Sequence, residues 1–250
     1  MNNKNLLLKI CLIIFLVMQS ITMMSQGIEV HYEMVPNVAN NMRSAQEQMG
    51  MGEMGRGVMA QIQSAMQGVK VPYVLTYNKG KSLYKSQKVD KLEVTVMGQT
   101  VDISSRLPED ITYRDHNAHK EIQQKEMMGK RYLVESALEA DQWQILDDET
   151  KMIAGYSCVK AISTTDSTEV WFTRNIPVSD GPVYTGLPGL VLELKSKERH
   201  IIANSVGEAG NTPIVPPSKG KQISKEEFIK MAKRKMAMVN VSGPVFSMGM

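Results

Sequence analysis

Four methionines, Met49, Met51, Met54 and Met59, fall within eleven positions, and thioether sulfur is a soft ligand. It prefers Cu(I) to hard cations, and a loop gathering three such sulfurs can hold that ion. The competing reading is adaptable apolar filling, because methionine recurs along the whole chain, 20 times in all. Histidine is scarcer, at His31, His116, His119 and His200. Asp115, His116 and His119 make the one compact group, and His116 and His119 would suit a metal if they shared a helical turn. Their neighbours Arg114, Asn117 and Lys120 instead read as a solvated loop. No Gly-x-Ser-x-Gly, His-Glu-x-x-His or phosphate-cradling glycine loop occurs. The acids Asp147, Asp148 and Glu149 fall in an expected turn, Asp147–Thr150, so a hydrolase reading has no recognisable motif behind it. The expectation is a protein without catalysis of its own and with no cofactor, copper being the alternative.

Binding chemistry is the better prospect. Trp143, Tyr156 and Trp171 lie in strand-like runs, where large aromatics pack in a core or face a ligand across a concave sheet. Leu187-Pro188-Gly189-Leu190 reads as a type II turn, with proline at its first central position and a positive-φ glycine at its second. Leu187 and Leu190 then either anchor that turn in the core or form an apolar lip. The candidate ligand-binding residues are therefore Trp143, Tyr156, Trp171, Leu187, Pro188, Gly189 and Leu190. Their ligand would be apolar, a lipid or peptide, or an envelope protein partner. A single cysteine, Cys158, lies beyond the first 25 residues, and it reads as a small buried apolar residue.

The elements that must position these residues begin after a leader. Lys4 and Lys9 precede the apolar run Ile10–Met18, which is too short to span a bilayer and has the layout of a secretory signal. Ser25 suits the position before a cut, so the mature chain is expected to start at Gln26 and to work in the periplasm or cell envelope, or outside the cell. Cys11 has no lipobox before it. The net charge of the whole chain is +3, and two of the lysines fall in the leader. A nearly neutral mature chain argues against nucleic acid as a partner. No transmembrane span is expected in it.

Residues 28–34 alternate as a half-buried strand. Residues 36–68 break the pattern as a methionine-rich helical or mobile insert. Short strands with glycine or polar turns then recur every 8–12 residues up to about 205. The pattern predicts a mainly β domain over 26–212, a curved antiparallel sheet or half-barrel. Pro213, Pro216 and Pro217 punctuate a linker within 213–250. There Ser224 and Glu227 match a capping box, opening a basic amphipathic C-terminal helix.

The hexamer Gly186-Leu187-Pro188-Gly189-Leu190-Val191 resembles the signature of the GLPGLI family of secreted proteins from double-membraned bacteria. Other residues fit the same pattern: Tyr132, Trp143, Ile145, Lys151, Ile153–Ala161, Val170–Thr173, Ile176-Pro177 and Gly181-Pro182. The resemblance covers residues 130–205 and implies a secreted, β-rich envelope protein. By analogy of fold, the region resembles the curved half-barrels that carry lipids or lipoproteins across the periplasm.

Overall fold

The computed structural model describes residues 27–37, 68–102 apart from 97, 109–127, 129–210 and 213–241, with the single positions 60, 64 and 104. The leader and the four clustered methionines lie outside the described residues. The described chain begins with β1 (Ile28–Pro36), β2 (Val71–Asn78), β3 (Lys81–Ser86), β4 (Glu93–Val96) and β5 (Gln99–Asp102). It continues through β6 (Ile111–Asp115), β7 (Lys120–Met127), β8 (Lys130–Ala137), β9 (Trp143–Ile153) and β10 (Tyr156–Ser163). It ends with β11 (Glu169–Thr173), β12 (Leu190–Lys195), β13 (Arg199–Glu208), β14 (Lys221–Ser224) and the helix α1 (Lys225–Val241).

Twelve strands make one open, mainly antiparallel sheet in the order β14-β8-β7-β6-β3-β2-β1-β13-β12-β11-β10-β9, while β4 and β5 pair separately. Only β14 runs parallel to its neighbour, β8. Two meanders are thus joined by the first strand. The alternation of β1 explains its place: Val30 and Tyr32 are buried, and His31 between them is exposed. One edge of β1 pairs with β2 and the other with β13.

The sheet curls. Tyr32 on β1 donates its hydroxyl to the carbonyl of Val191 on β12 at 2.7 Å, reaching past the intervening β13. Tyr73 stacks on Tyr84 at 4.8 Å, and Tyr84 meets Tyr32 edge-on at 6.0 Å. Leu75, Phe172, Leu190, Leu192 and Leu194 close the same apolar core. Cys158 is buried there too, and desolvation pushes its thiol up to about 11. It is an inert apolar filler, in line with its sequence reading.

Local chemistry accounts for the hairpins. The β2–β3 connection uses Lys79 and Gly80 at φ 49° and 77°, and β9–β10 uses Ala154 and Gly155 at 49° and 85°. Two successive positive-φ residues give the hairpin turn whose twist matches the strands. Ser224 and Glu227 form the expected capping box. The Glu227 amide donates to Ser224 Oγ at 3.2 Å, and the Ser224 amide donates to Glu227 Oε2 at 3.4 Å.

Three expectations fail. Asp147–Thr150 is not a turn, because β9 runs through it and closes on β10 at Ala154-Gly155. Register pairs Thr150 with Val159 but Leu146 with Lys160, so residues 147–149 bulge from the strand. Residues 111–115 form β6 instead of part of a solvated loop, and Tyr113 and Arg114 are both buried there. Gly189 is not a positive-φ residue, so Pro188-Gly189 is not a type II turn; the positive φ of the hexamer belongs to Gly186, at 92°.

Candidate functional site

Residues 174–189 connect β11 to β12 without regular structure, yet the segment is tightly built. Val178 donates its amide to Ile176 and Asp180 to Val178, each at 2.8 Å, and Val191 returns one to the Asp180 carbonyl at 3.0 Å. Ile176, Val178 and Leu187 point into the core, Leu187 with 2% of its surface exposed. Glycine is required at 189 by contact rather than by φ: a Cβ there would fall on the Thr173 carbonyl. At Gly181 a Cβ would come within 2.6 Å of the Val191 side chain.

One charge holds this connection to the far meander. Asp180 is the only charged residue between Arg174 and Glu193, and it is buried. Arg114 of β6, 1% exposed, reaches it with Nη1 at 2.6 Å. The same guanidinium donates to Glu121 Oε2 at 2.8 Å, the Gly181 carbonyl at 2.7 Å and the Val183 carbonyl at 2.8 Å. His116 Nε2 lies 2.8 Å from the second oxygen of Asp180. Burial alone would raise the Asp180 carboxyl, but Arg114 and His116 outweigh it and hold that group below the ordinary carboxylate range. The solvated-loop reading thus applies to Asn117, Ala118 and His119, which are exposed, but not to Arg114 or His116.

The outer rim of the connection is aromatic and acidic. Trp143 Nε1 donates to the Thr185 carbonyl at 2.9 Å, and its ring meets Tyr184 edge-on at 5.4 Å. Tyr184 donates its hydroxyl to Asp166 Oδ2 at 2.5 Å. Desolvation and that hydrogen bond push the phenol up to about 12. Asp141 accepts the Thr185 amide at 2.9 Å. Val183 and Pro188 are exposed beside these groups.

A second cluster lies on β9–β13. Glu193, alone among the leucines of β12, accepts from Lys151 and sits 2.7 Å from His200 Nε2 and 3.3 Å from Lys195 Nζ. The Lys151 ammonium also stands 4.2 Å from the centre of the Trp171 ring. Desolvation would raise the Glu193 carboxyl, but Lys151 and His200 hold it low.

The candidate residues therefore separate. Trp143 belongs to the rim and Trp171 to the Glu193 cluster, each half-buried. Tyr156 is half-buried beside the Ala154-Gly155 turn. Leu187, Gly189 and Leu190 are buried beneath the connection, and only Pro188 of that turn is exposed. Met49, Met51, Met54 and Met59 lie outside the described residues. Hydropathy and motif reading overlooked Arg114, Glu121, Asp180, Tyr184 and Glu193. A lone acid inside an apolar run, at 180 and again at 193, was the available signal.

Two solved structures of PNGF-II, from P21 and C2 crystals, have similar folds. They show TM-scores of 0.50 and 0.51 at 16% and 15% identity, covering 82% and 86% of this chain. The chain spans about a third of their length, 33% in each. A structure of an uncharacterized conserved protein from Thermus thermophilus matches at a TM-score of only 0.38 and 7% identity, over 84% of this chain and 99% of its own. No curated protein sequence matches the chain. The family model described as "N-glycanase peptide, N-terminal domain" matches residues 76–232. That span is well over half of the 250 residues and contains all of 130–205, so the chain belongs to the N-glycanase peptide, N-terminal domain family.

Proposed function

We propose that this chain is a non-catalytic binding module, exported to the cell envelope, that recognises a polypeptide partner at the outer rim of residues 174–189. The observation that carries this reading is how the curl of the sheet is filled. Tyr32, Leu75, Phe172, Leu187 and Leu190 are buried against one another where an apolar cargo would have to sit. A carrier of lipid needs that space open, whereas a partner surface needs only the rim. Trp143, Tyr184, Val183 and Pro188 supply apolar and aromatic contact there, with Asp141 and Asp166 beside them. Rims that mix aromatic and polar groups suit polypeptide surfaces.

Kinship supports an accessory role. The matched family is described as the N-terminal domain of an N-glycanase, and the PNGF-II chains are about three times as long as the span they share with this one. A glycosylated polypeptide is accordingly the first ligand to try.

The chain has two tryptophans, one on the rim and one in the Glu193 cluster. Titration with an N-glycosylated peptide and its sugar-free form should shift the emission of Trp143. The shift should vanish in Trp143→Phe and persist in Trp171→Phe. A response lost only in Trp171→Phe would move the site to the Glu193 cluster. Lipid retained by the purified protein, with no response to either peptide, would restore the carrier reading.

A further inference from the structure

Charge is unevenly distributed along this chain. Across the sheet, cations face acids: Lys70 with Glu33, Lys81 with Asp115, Lys120 with Glu135, Lys160 with Glu149, and Arg174 with Asp147. Residues 213–250 differ, with seven lysines and arginines against Glu226 and Glu227. The rest of the chain is net acidic by two, so the whole positive charge resides in this segment. None of Lys219, Lys221, Lys225, Lys230, Lys233 or Arg234 forms an ion pair with a described residue. Glu227 is engaged by the cap.

The geometry keeps these charges accessible. Helix α1 is about 25 Å long at its usual rise per residue. It packs on β8 and β14 at the sheet margin. Phe228 in its first turn meets Tyr132 edge-on at 5.8 Å, and Lys125 stands 5.9 Å from the same ring. Next to it, Ile229 keeps 44% of its surface exposed, and Lys230, Lys233 and Arg234 are exposed. Apolar and basic side chains therefore alternate over residues 228–234, beside the contact of Phe228 with the sheet margin. No helix among the described residues is long and apolar enough to cross a membrane, so α1 can lie on a bilayer but not span it.

We infer that α1 and the preceding Lys219 and Lys221 form a docking surface for anionic lipid headgroups. Lysine and arginine attract the negative surface, and Ile229 inserts at the headgroup boundary. Lipid suits this surface better than an acidic protein, because the cations are spread over linker and helix without a fixed constellation. Headgroups rearrange around such a pattern, whereas a folded acidic partner requires matched positions.

Co-sedimentation of the full chain with phosphatidylglycerol–phosphatidylcholine vesicles tests the inference. Pure phosphatidylcholine vesicles report whatever the leader contributes. Partition should favour the anionic vesicles and weaken as salt rises. Lys230→Glu with Arg234→Glu should reduce it by roughly tenfold or more, and so should Lys219→Glu with Lys221→Glu, which leaves the helix intact. Ile229→Ser should lower partition without altering the salt dependence. Equal partition onto both vesicles, or charge-reversed proteins that sediment like wild type, would overturn the inference. Retention on immobilised poly-aspartate without vesicle binding would assign the surface to an acidic protein instead.

Discussion

At the scale of single residues, Leu187 and Gly189 anchor the β11–β12 connection, and the exposed Pro188 between them does not. Leu187→Ala should cost about 2–5 kcal/mol in denaturant unfolding, the usual range for a buried leucine. Gly189→Ala should be at least as damaging, because its Cβ meets backbone rather than a movable side chain. Pro188→Ala should leave stability nearly unchanged. A Leu187→Ala protein that unfolds at the wild-type denaturant concentration would place that side chain outside the core. Arg114 and Asp180 are the electrostatic counterpart, since removing one partner of a buried pair strands the other. Arg114→Met should cost about 3–5 kcal/mol. Folded Asp180 has a lower pKa than the unfolded chain, so its contribution is fully present above the ordinary aspartate value, near 4. It is lost as pH falls through the lower folded value. Glu193 acts in the same direction. Denaturant unfolding between about pH 7 and about pH 3 should therefore show an acid limb that is shallower in Asp180→Asn. An equally steep limb in that variant would assign the acid sensitivity to other carboxylates.

Among the elements, the turns and the bulge set the length and register of each strand. Ala154 occupies a left-handed position that costs an L-residue with a Cβ about 1 kcal/mol, and its twin at the β2–β3 turn is Lys79. Ala154→Gly should relieve that conformation and raise stability by roughly 0.5–1 kcal/mol, readable as a higher melting temperature. The half-buried Ala154 methyl packs against the core, so a lower melting temperature would mean that this lost contact outweighs the relieved conformation. The bulge at 147–149 explains why a turn is expected from sequence where β9 in fact continues. Three consecutive acids read as a turn because turns tolerate acids, but a bulge tolerates them equally. Asp147 and Glu149 reach Arg174 and Lys160 from it. The bulge also lies on β9, an edge strand of the sheet, where bent, charged backbone discourages pairing with another chain.

For the whole molecule, β1 is decisive because it lies between two meanders that would otherwise be separate sheets. Its partner β13 ends at Glu208, paired with Ile28, so the sheet forms only when segments about 180 residues apart in the chain meet. Truncation before residue 37 should abolish cooperative unfolding, whereas cleavage after Ser25 should leave it intact. On the secretory reading of residues 1–25, N-terminal sequencing of the mature protein should start at Gln26. Recovery of an intact Met1 would refute the secretory reading of residues 1–25.

Much of this architecture was legible locally. Alternation marked β1, turn residues marked the β2–β3 hairpin, Ser224 and Glu227 marked the start of α1, and the recurrence of short strands and turns predicted a mainly β fold. Each of these signals depends on neighbours a few positions apart in the chain, which is the range at which φ, hydrogen bonding and side-chain period act. The site depended on longer distances. Arg114 is charged and lies beside polar residues, so only the arrival of Asp180, Glu121 and two carbonyls makes its burial possible. Gly189 resembles a turn glycine until Thr173 of the preceding strand is placed against it. Trp143 and Trp171 have the same residue type and similar strand surroundings, and tertiary packing sends one to the rim and the other to a buried carboxylate. Sequence determined which segments would be strands and where most of them would turn. The curl of the sheet decided which polar side chains could be buried, because a charge is stable inside only where distant strands bring its partners.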